Sequence, residues 1–137
     1  MRFSILRIVR LNYNKPMVSK LPFLSIIIPA HNEESRLSET LDEILVFTAK
    51  QPFSSEIIIV ENASVDRTLE IARGYAGKNP TISVIHDDTP GKGLAVKTGM
   101  LASSGDYRFI CDADLSMPAM EISRFVPPAL EGVDIGI

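Results

Sequence analysis

Short apolar runs rich in isoleucine and valine, each too brief for a helix, alternate from residue 23 onward with stretches whose apolar residues recur at helical spacing. The first run, residues 23–29, holds Ile26, Ile27 and Ile28 in succession, and β-branched side chains set side by side favour an extended backbone. The stretch after it puts Leu37, Leu41, Ile44 and Leu45 on one helical face and turns Glu39, Asp42 and Glu43 to water, until Pro52 ends it. The same reasoning predicts strands at 56–60, 81–86 and 107–112, with helices at 66–75 (stopped by Gly74 and Gly77) and 94–103. A further helix is expected at 120–125, before Pro127 and Pro128, and a fifth strand begins at 133–137. Continuous apolar strands separated by amphipathic helices imply an α/β fold: a mostly parallel sheet with helices on both faces, joined by right-handed crossovers. In such sheets the polar functional residues collect beyond the carboxyl ends of the strands.

At 137 residues the chain has material for one hydrophobic core, so residues 21–137 are expected to form one domain. Cys111 is the only cysteine, which rules out an internal disulfide, and no Cys/His cluster offers the ligands of a structural zinc site. A reducing, cytoplasmic compartment fits this usage. The longest apolar runs fall far short of the about 20 residues that cross a bilayer. The net charge of −3 hides an asymmetry, because Arg2, Arg7, Arg10, Lys15 and Lys20 face no acid within residues 1–20. The body that follows is acidic, which argues against a nucleic-acid partner and leaves carboxylates for a metal. Residues 1–20 read as a basic stretch resting on an anionic membrane surface, as a disordered tail, or as a start called too early, with Met17 the true one.

Each strand end carries a polar cluster. After the first come Pro29, Ala30, His31, Asn32, Glu33 and Glu34, where Asn32 suits a helix N-cap and the two glutamates suit the positive end of a helix dipole. The Gly-x-Gly-x-x-Gly of a dinucleotide fold is missing at this turn, which disfavours a nicotinamide or flavin enzyme of that type. After the second come Glu61, Asn62, Ser64 and Asp66. Ser64 or Asp66 can cap the next helix, while Glu61, at the mouth of a parallel strand, is placed to accept from a ribose hydroxyl or a base N–H. Gly91, Lys92 and Gly93 open the third helix. Backbone N–H groups, a dipole end and a cation at one spot suit a phosphate, although the turn is no Walker loop, having His86 five positions before Gly91 and Gly93 after the lysine; a flexible turn with a solvated lysine is the alternative. The fourth strand ends in Asp112, Ala113 and Asp114. On extended backbone the two carboxylates point the same way, and hard oxygen ligands so close together suit Mg²⁺ or Mn²⁺ held jointly with substrate phosphates. A turn that merely uses two acids is the alternative there.

Taken in order, Pro-Ala-x-Asn-Glu-Glu, Val-acid-Asn-x-Ser-x-Asp-x-Thr, Gly-Lys-Gly-x-Ala-Val and Asp-Ala-Asp resemble the motifs of family 2 glycosyltransferases with the GT-A (Rossmann-like) fold. The similarity runs over about residues 22–137 and is closest to the polyprenyl (dolichyl)-phosphate sugar transferase branch. The resemblance implies that Pro29, Ala30, Asn32 and Glu33 line a nucleotide pocket, that Glu61 meets the base or ribose, and that Asp66 shapes that wall. It implies further that Lys92 and Gly93 lie near the diphosphate and that Asp112 and Asp114 hold the metal. Relatives commonly have Asp where this chain has Glu61, and they carry an acceptor-binding part beyond the fifth strand, so the expectation is a chain holding the nucleotide-binding half.

The activity implied is inverting transfer of a hexose from a UDP- or GDP-sugar to an acceptor, a polyprenyl phosphate, at the cytosolic face of a membrane. Lys92, Asp112 and Asp114 act there as electrostatic anchors for the leaving diphosphate. A lipid phosphate, with a second pKa of about 6, is largely ionised at neutral pH and needs no general base. Two rivals stand beside this reading. One is a truncated, non-catalytic nucleotide-binding module. The other is a nucleotidyltransferase making sugar nucleotides, which needs a glycine- and arginine-rich loop where this chain has Ala30, His31 and Asn32.

Overall fold

The computed structural model describes residues 21–129, together with the backbone of Ile8–Arg10 and Ile135–Gly136. The elements are β1 (Ile8–Arg10), β2 (Leu24–Ala30), α1 (Leu37–Ala49), β3 (Ser55–Asn62), α2 (Thr68–Lys78), β4 (Ile82–Asp87), α3 (Lys92–Ala102), β5 (Tyr107–Ile110), a 3-10 turn of helix (Ala119–Phe125) and β6 (Ile135–Gly136). Among the described residues the strands form one sheet in the order β4-β3-β2-β5-β1-β6. The first four of these are parallel, and β1 pairs antiparallel with both β5 and β6. The remainder of residues 1–20, where a tail or membrane-surface stretch was expected, lies outside the described residues, as does most of the expected fifth strand.

The three adjacent isoleucines explain why β2 sits at the centre. Every residue of β2 is buried, so it needs cover on both faces. On one face Ile26, Ile28, Ile57 and Ile59 meet Leu37, Leu41, Ile44 and Phe47 of α1 and Ala72 of α2. On the other, Ile58 and Val60 meet Ala95 of α3. Here α3 comes very close: a Cβ at Gly99 would collide with Ile27 Cγ2 and stand 3.1 Å from Val60 Cγ2. Glycine at this position is therefore a packing requirement, since no other residue lets the helix backbone approach the sheet so nearly.

Several boundaries differ from the sequence expectation. Helix α2 runs through Gly74 and Gly77 to Lys78, because its Thr68 and Ala72 are anchored in the core and this outweighs the about 1 kcal/mol that each glycine costs. Helix α3 begins at Lys92 rather than Leu94, with Gly91 at φ 137° as its cap. The expected helix at 120–125 is 3-10 rather than α. Strand β5 ends at Ile110, so Asp112 and Asp114 lie on a turn, and the alternation of an extended strand does not orient them. Among the described residues no helix is long and apolar enough to cross a membrane.

Candidate functional site

Because β2, β3, β4 and β5 are parallel, their carboxyl ends share one edge, and every candidate residue lies there. Pro29 and Ala30 close β2, Glu61 sits near the end of β3, Lys92 and Gly93 open α3, and Asp112 and Asp114 follow β5. Backbone strain gathers at the same edge. Asn32 (φ 51°), Ala63 (φ 50°) and Leu115 (φ 42°) follow three adjacent strands, and left-handed backbone at a residue other than glycine costs on the order of 1 kcal/mol or more.

Asn32 does not cap α1, which starts five residues later. In the left-handed conformation it faces the β3–α2 loop instead. Its N–H donates to Ser64 Oγ (3.0 Å) and its Oδ1 accepts from the Val65 N–H (2.9 Å). The lacing continues along both loops: the Glu33 N–H donates to Thr68 Oγ1 (2.8 Å), the Glu34 N–H to Asp66 Oδ2 (3.2 Å), and the Arg67 N–H to Glu34 Oε2 (2.9 Å). Asp66 also accepts from the backbone N–H and the hydroxyl of Thr68. Burial alone raises the pKa of Asp66, but the donors from Thr68 and Glu34 outweigh it and hold the carboxyl below its ordinary value. Asp66 thus joins two loops into one wall. Glu33 Oε2 lies 3.1 Å from Arg36 Nε yet is buried without a hydrogen bond among the described residues, which leaves an acceptor on that wall.

Glu61 is 1% exposed. Its Oε1 accepts from the Ser64 N–H (2.8 Å), and its Oε2 meets Nδ1 of His86, its register partner on β4 (2.5 Å). On the far side of the ring, Nε2 lies 3.0 Å from Asp88 Oδ1. Burial pushes the Glu61 carboxyl up, but hydrogen bonds from Ser64 and His86 more than offset this and leave its pKa lowered. The hydrogen bond to Glu61 raises the pKa of His86. Beyond this pair, the Asn62 side-chain amide donates to the carbonyls of Thr89 (3.3 Å) and Gly91 (3.0 Å), fixing the loop that leads to Lys92.

Lys92 Nζ donates to Asp112 Oδ1 (2.5 Å), so the cation at the start of α3 and the first acid of Asp112-Ala113-Asp114 converge from elements on either side of β2. Asp114 is exposed, and its Oδ1 accepts from the Ser116 N–H (3.3 Å). Helix α1 holds this turn from behind. Thr40 Oγ1 donates to the carbonyl of Ala113, the residue between the two acids (2.6 Å), and Glu43 Oε1 accepts from the Ala119 N–H (2.8 Å). Beside them Cys111 is buried, and burial, together with Asp112, Asp114 and Glu43, pushes its thiol up to about 12. A thiol so held is inert.

Among the described residues no three His, Cys, Asp or Glu side chains converge as a ready-made metal cage. The donor set is two hard carboxylates at one turn with a lysine beside them. It fits Mg²⁺ or Mn²⁺, which keep positions for water and phosphate oxygens, and does not fit zinc. Three residues escaped the sequence reading of the site. His86 was detectable only through the β3–β4 register. Thr40 gave a local signal, being a polar residue on the apolar face of α1, whereas Glu43 was expected to face water.

Comparisons with known proteins bear on the family and the fold. The model of the family "Glycosyl transferase family 2" matches residues 25–137. A dolichyl-phosphate beta-glucosyltransferase of Dictyostelium discoideum is 34% identical over 125 residues, covering 84% of this chain and 38% of that protein. An undecaprenyl-phosphate 4-deoxy-4-formamido-L-arabinose transferase of Edwardsiella ictaluri is 32% identical over 117 residues, covering 84% of this chain and 36% of its own length. Among solved structures, the mannosyltransferase PcManGT from Pyrobaculum calidifontis in complex with GDP-Man and Mn²⁺ superposes with a TM-score of 0.59 at 27% identity, over 70% of this chain and 28% of that one. The chain therefore spans little more than a third of the length of these curated relatives, and its sheet is that of GT-A glycosyltransferases.

Proposed function

This chain belongs to glycosyl transferase family 2, and from that premise we propose that it serves the inverting transfer of a hexose from a nucleotide-diphosphate sugar to a polyprenyl phosphate at the cytosolic face of a membrane. The observation that carries the proposal is the convergence of Lys92 and Asp112 at the edge where the parallel strands end. A cation facing an acid at a helix start is arranged for a ligand of mixed charge, and a metal-bound diphosphate is such a ligand.

In this reading Asp112 and Asp114 hold Mg²⁺ or Mn²⁺, which when bound neutralises charge on the leaving diphosphate. Lys92 exchanges part of its bond with Asp112 for a phosphate oxygen and stabilises the same charge. Gly93 leaves the backbone N–H groups of the first turn of α3 open to the phosphates, with no side chain between. Pro29, Ala30, Asn32, Glu33 and Asp66 form the wall against which the nucleoside rests, and Glu61 governs its base end. No residue is needed as a general base, because a phosphate acceptor arrives ionised. The basic residues of segment 1–20 supply attraction to an anionic lipid surface.

The test is calorimetric titration with UDP and with GDP in the presence of Mn²⁺, for the wild type and for Asp112→Ala and Asp114→Ala, paired with transfer of radiolabelled sugar to polyprenyl phosphate. Metal-dependent binding that either alanine abolishes supports the reading. Binding indifferent to both variants removes the metal assignment, and binding without transfer favours a nucleotide-binding module.

A further inference from the structure

We propose that His86 is the residue through which this site reads the base of its nucleotide, with Glu61 as the positioning residue that holds it. The inference rests on the nucleotide-sugar reading above and concerns which group meets the base. Glu61, at 1% exposure and with Oε1 and Oε2 engaged by the Ser64 N–H and His86 Nδ1, presents no free face to a ligand. A nucleobase reaches it only by breaking an ion pair or displacing backbone. His86 is the accessible member of the pair, its side chain about a third exposed.

The chemistry of the ring follows from its partners. Both nitrogens face carboxylate oxygens, Nδ1 that of Glu61 and Nε2 that of Asp88. A carboxylate only accepts, so each nitrogen carries a hydrogen and the ring is an imidazolium. Its two partners differ in strength. Glu61 is buried and fixes the plane of the ring, whereas Asp88, with a side chain 97% exposed, makes a solvent-screened contact that yields readily. The Nε2–H is therefore the donor available to a ligand. The loop from His86 to Lys92 is held to β3 through the bonds of Asn62 to Thr89 and Gly91, so base end and phosphate end keep a constant separation.

A donor at this position selects a base edge that carries a carbonyl oxygen. Uracil and guanine present one, and adenine does not. The extra methylene of Glu61, relative to aspartate, lets the carboxylate reach across the β3–β4 pair to the imidazole. Base readout thereby passes from an acceptor to a donor.

The experiment is calorimetry on the full chain with Mn²⁺ and four ligands: UDP, GDP, ADP and inorganic diphosphate, the last having no base. The wild type is expected to bind UDP and GDP about tenfold more tightly than ADP or diphosphate. His86→Ala is expected to lose that advantage while its diphosphate affinity stays within about twofold, a pattern that a general loss of folding does not produce. Asp88→Ala, at an exposed position that does not endanger the fold, is expected to raise the UDP-to-diphosphate affinity ratio about threefold, because Nε2 loses its competing acceptor. Glu61→Gln is expected to lower the same ratio and to move the His86 ring resonances in NMR spectra toward those of a neutral imidazole. Unchanged ratios in His86→Ala or in Asp88→Ala overturn the proposal, as does a wild type that binds UDP no better than diphosphate. A wild type that binds none of the four ligands overturns the nucleotide reading itself.

Discussion

Thr40→Val exchanges a hydroxyl for a methyl while keeping the branched shape of the side chain, so it isolates one hydrogen bond. In the wild type that hydroxyl, on a residue 2% exposed, donates over 2.6 Å to the carbonyl of Ala113, the hinge of the Asp112-Ala113-Asp114 turn. Valine leaves the carbonyl facing a methyl group in a dry interface, and an orphaned buried acceptor costs about 1–3 kcal/mol. Relaxation of the turn toward water would bring the cost to the low end of that range. The second tie, from the Ala119 N–H to Glu43 Oε1, limits such relaxation, so a cost of about 2 kcal/mol is expected. In a chain of this size each kcal/mol lowers the melting temperature by roughly 3–5 °C, giving a fall of roughly 6–10 °C in a thermal melt followed by circular dichroism. Mn²⁺-dependent UDP affinity, read by calorimetry, should fall about fivefold, equivalent to about 1 kcal/mol, as the two carboxylates lose their common support. Thr40→Ser keeps the hydroxyl and gives up one buried methyl, about 1 kcal/mol, so it should melt closer to the wild type and bind Mn²⁺-UDP as the wild type does. The reasoning fails if Thr40→Val and Thr40→Ser melt together, or if the valine variant binds Mn²⁺-UDP with undiminished affinity.

Other consequences follow from individual contacts. Gly99→Ala improves helix propensity by about 1 kcal/mol but forces a Cβ against Ile27 and Val60, which costs about 1–3 kcal/mol, so its urea midpoint should drop; a midpoint at or above that of the wild type contradicts the close approach of α3. Cys111, with its thiol pushed up to about 12, should resist a disulfide reagent at pH 8 in the native protein and react fully once guanidinium unfolds it; rapid native reaction would show the site behind Asp112 to be open. The Glu61–His86 pair should stabilise the fold within a bounded pH window. The contribution of Glu61 is present above its ordinary value of 4.5 and lost as pH falls through its lowered pKa, while that of His86 is present below 6.5 and lost as pH rises through its raised one. The stability difference between wild type and His86→Ala should therefore peak between about pH 4.5 and 6.5, and a difference that is flat across that range and beyond it speaks against the ion pair.

The sheet was legible because its determinants are local. Three consecutive isoleucines cannot be satisfied by one buried face, so residues 26–28 announced a central strand, and β2 is buried along its whole length. Boundaries were less legible where local and tertiary terms compete. Gly74 and Gly77 marked a stop by propensity, yet α2 continues because Thr68 and Ala72 tie it to the core. Asn32 looked like a cap because Asn caps helices, and the alternative, left-handed backbone facing Ser64 and Val65, depends on a loop about thirty residues away. The clustering of acids and glycines at strand ends could be read from the chain, whereas their partners could not. Thr40 reaches Ala113 across 73 positions and His86 reaches Glu61 across 25, and only the packed sheet sets those pairings.

The same contrast explains why the candidate site is built as it is. Loops at the ends of parallel strands have no ladder to hold them, yet a nucleotide pocket needs its walls in place before the ligand arrives, because ordering them afterwards reduces affinity. In this chain, hydrogen bonds from one element to the loop of another add to those within each loop: Asn32 with Ser64 and Val65, Glu34 with Asp66 and Arg67, Asn62 with Thr89 and Gly91, Thr40 with Ala113. Such cross-links fix the backbone where the loops require it, including the left-handed residue Asn32. A polar side chain spent on this scaffolding is unavailable to a ligand. Asp66 and Glu61 are both spent in this way, which moves the ligand-facing role at the base end to the exposed imidazole that Glu61 supports.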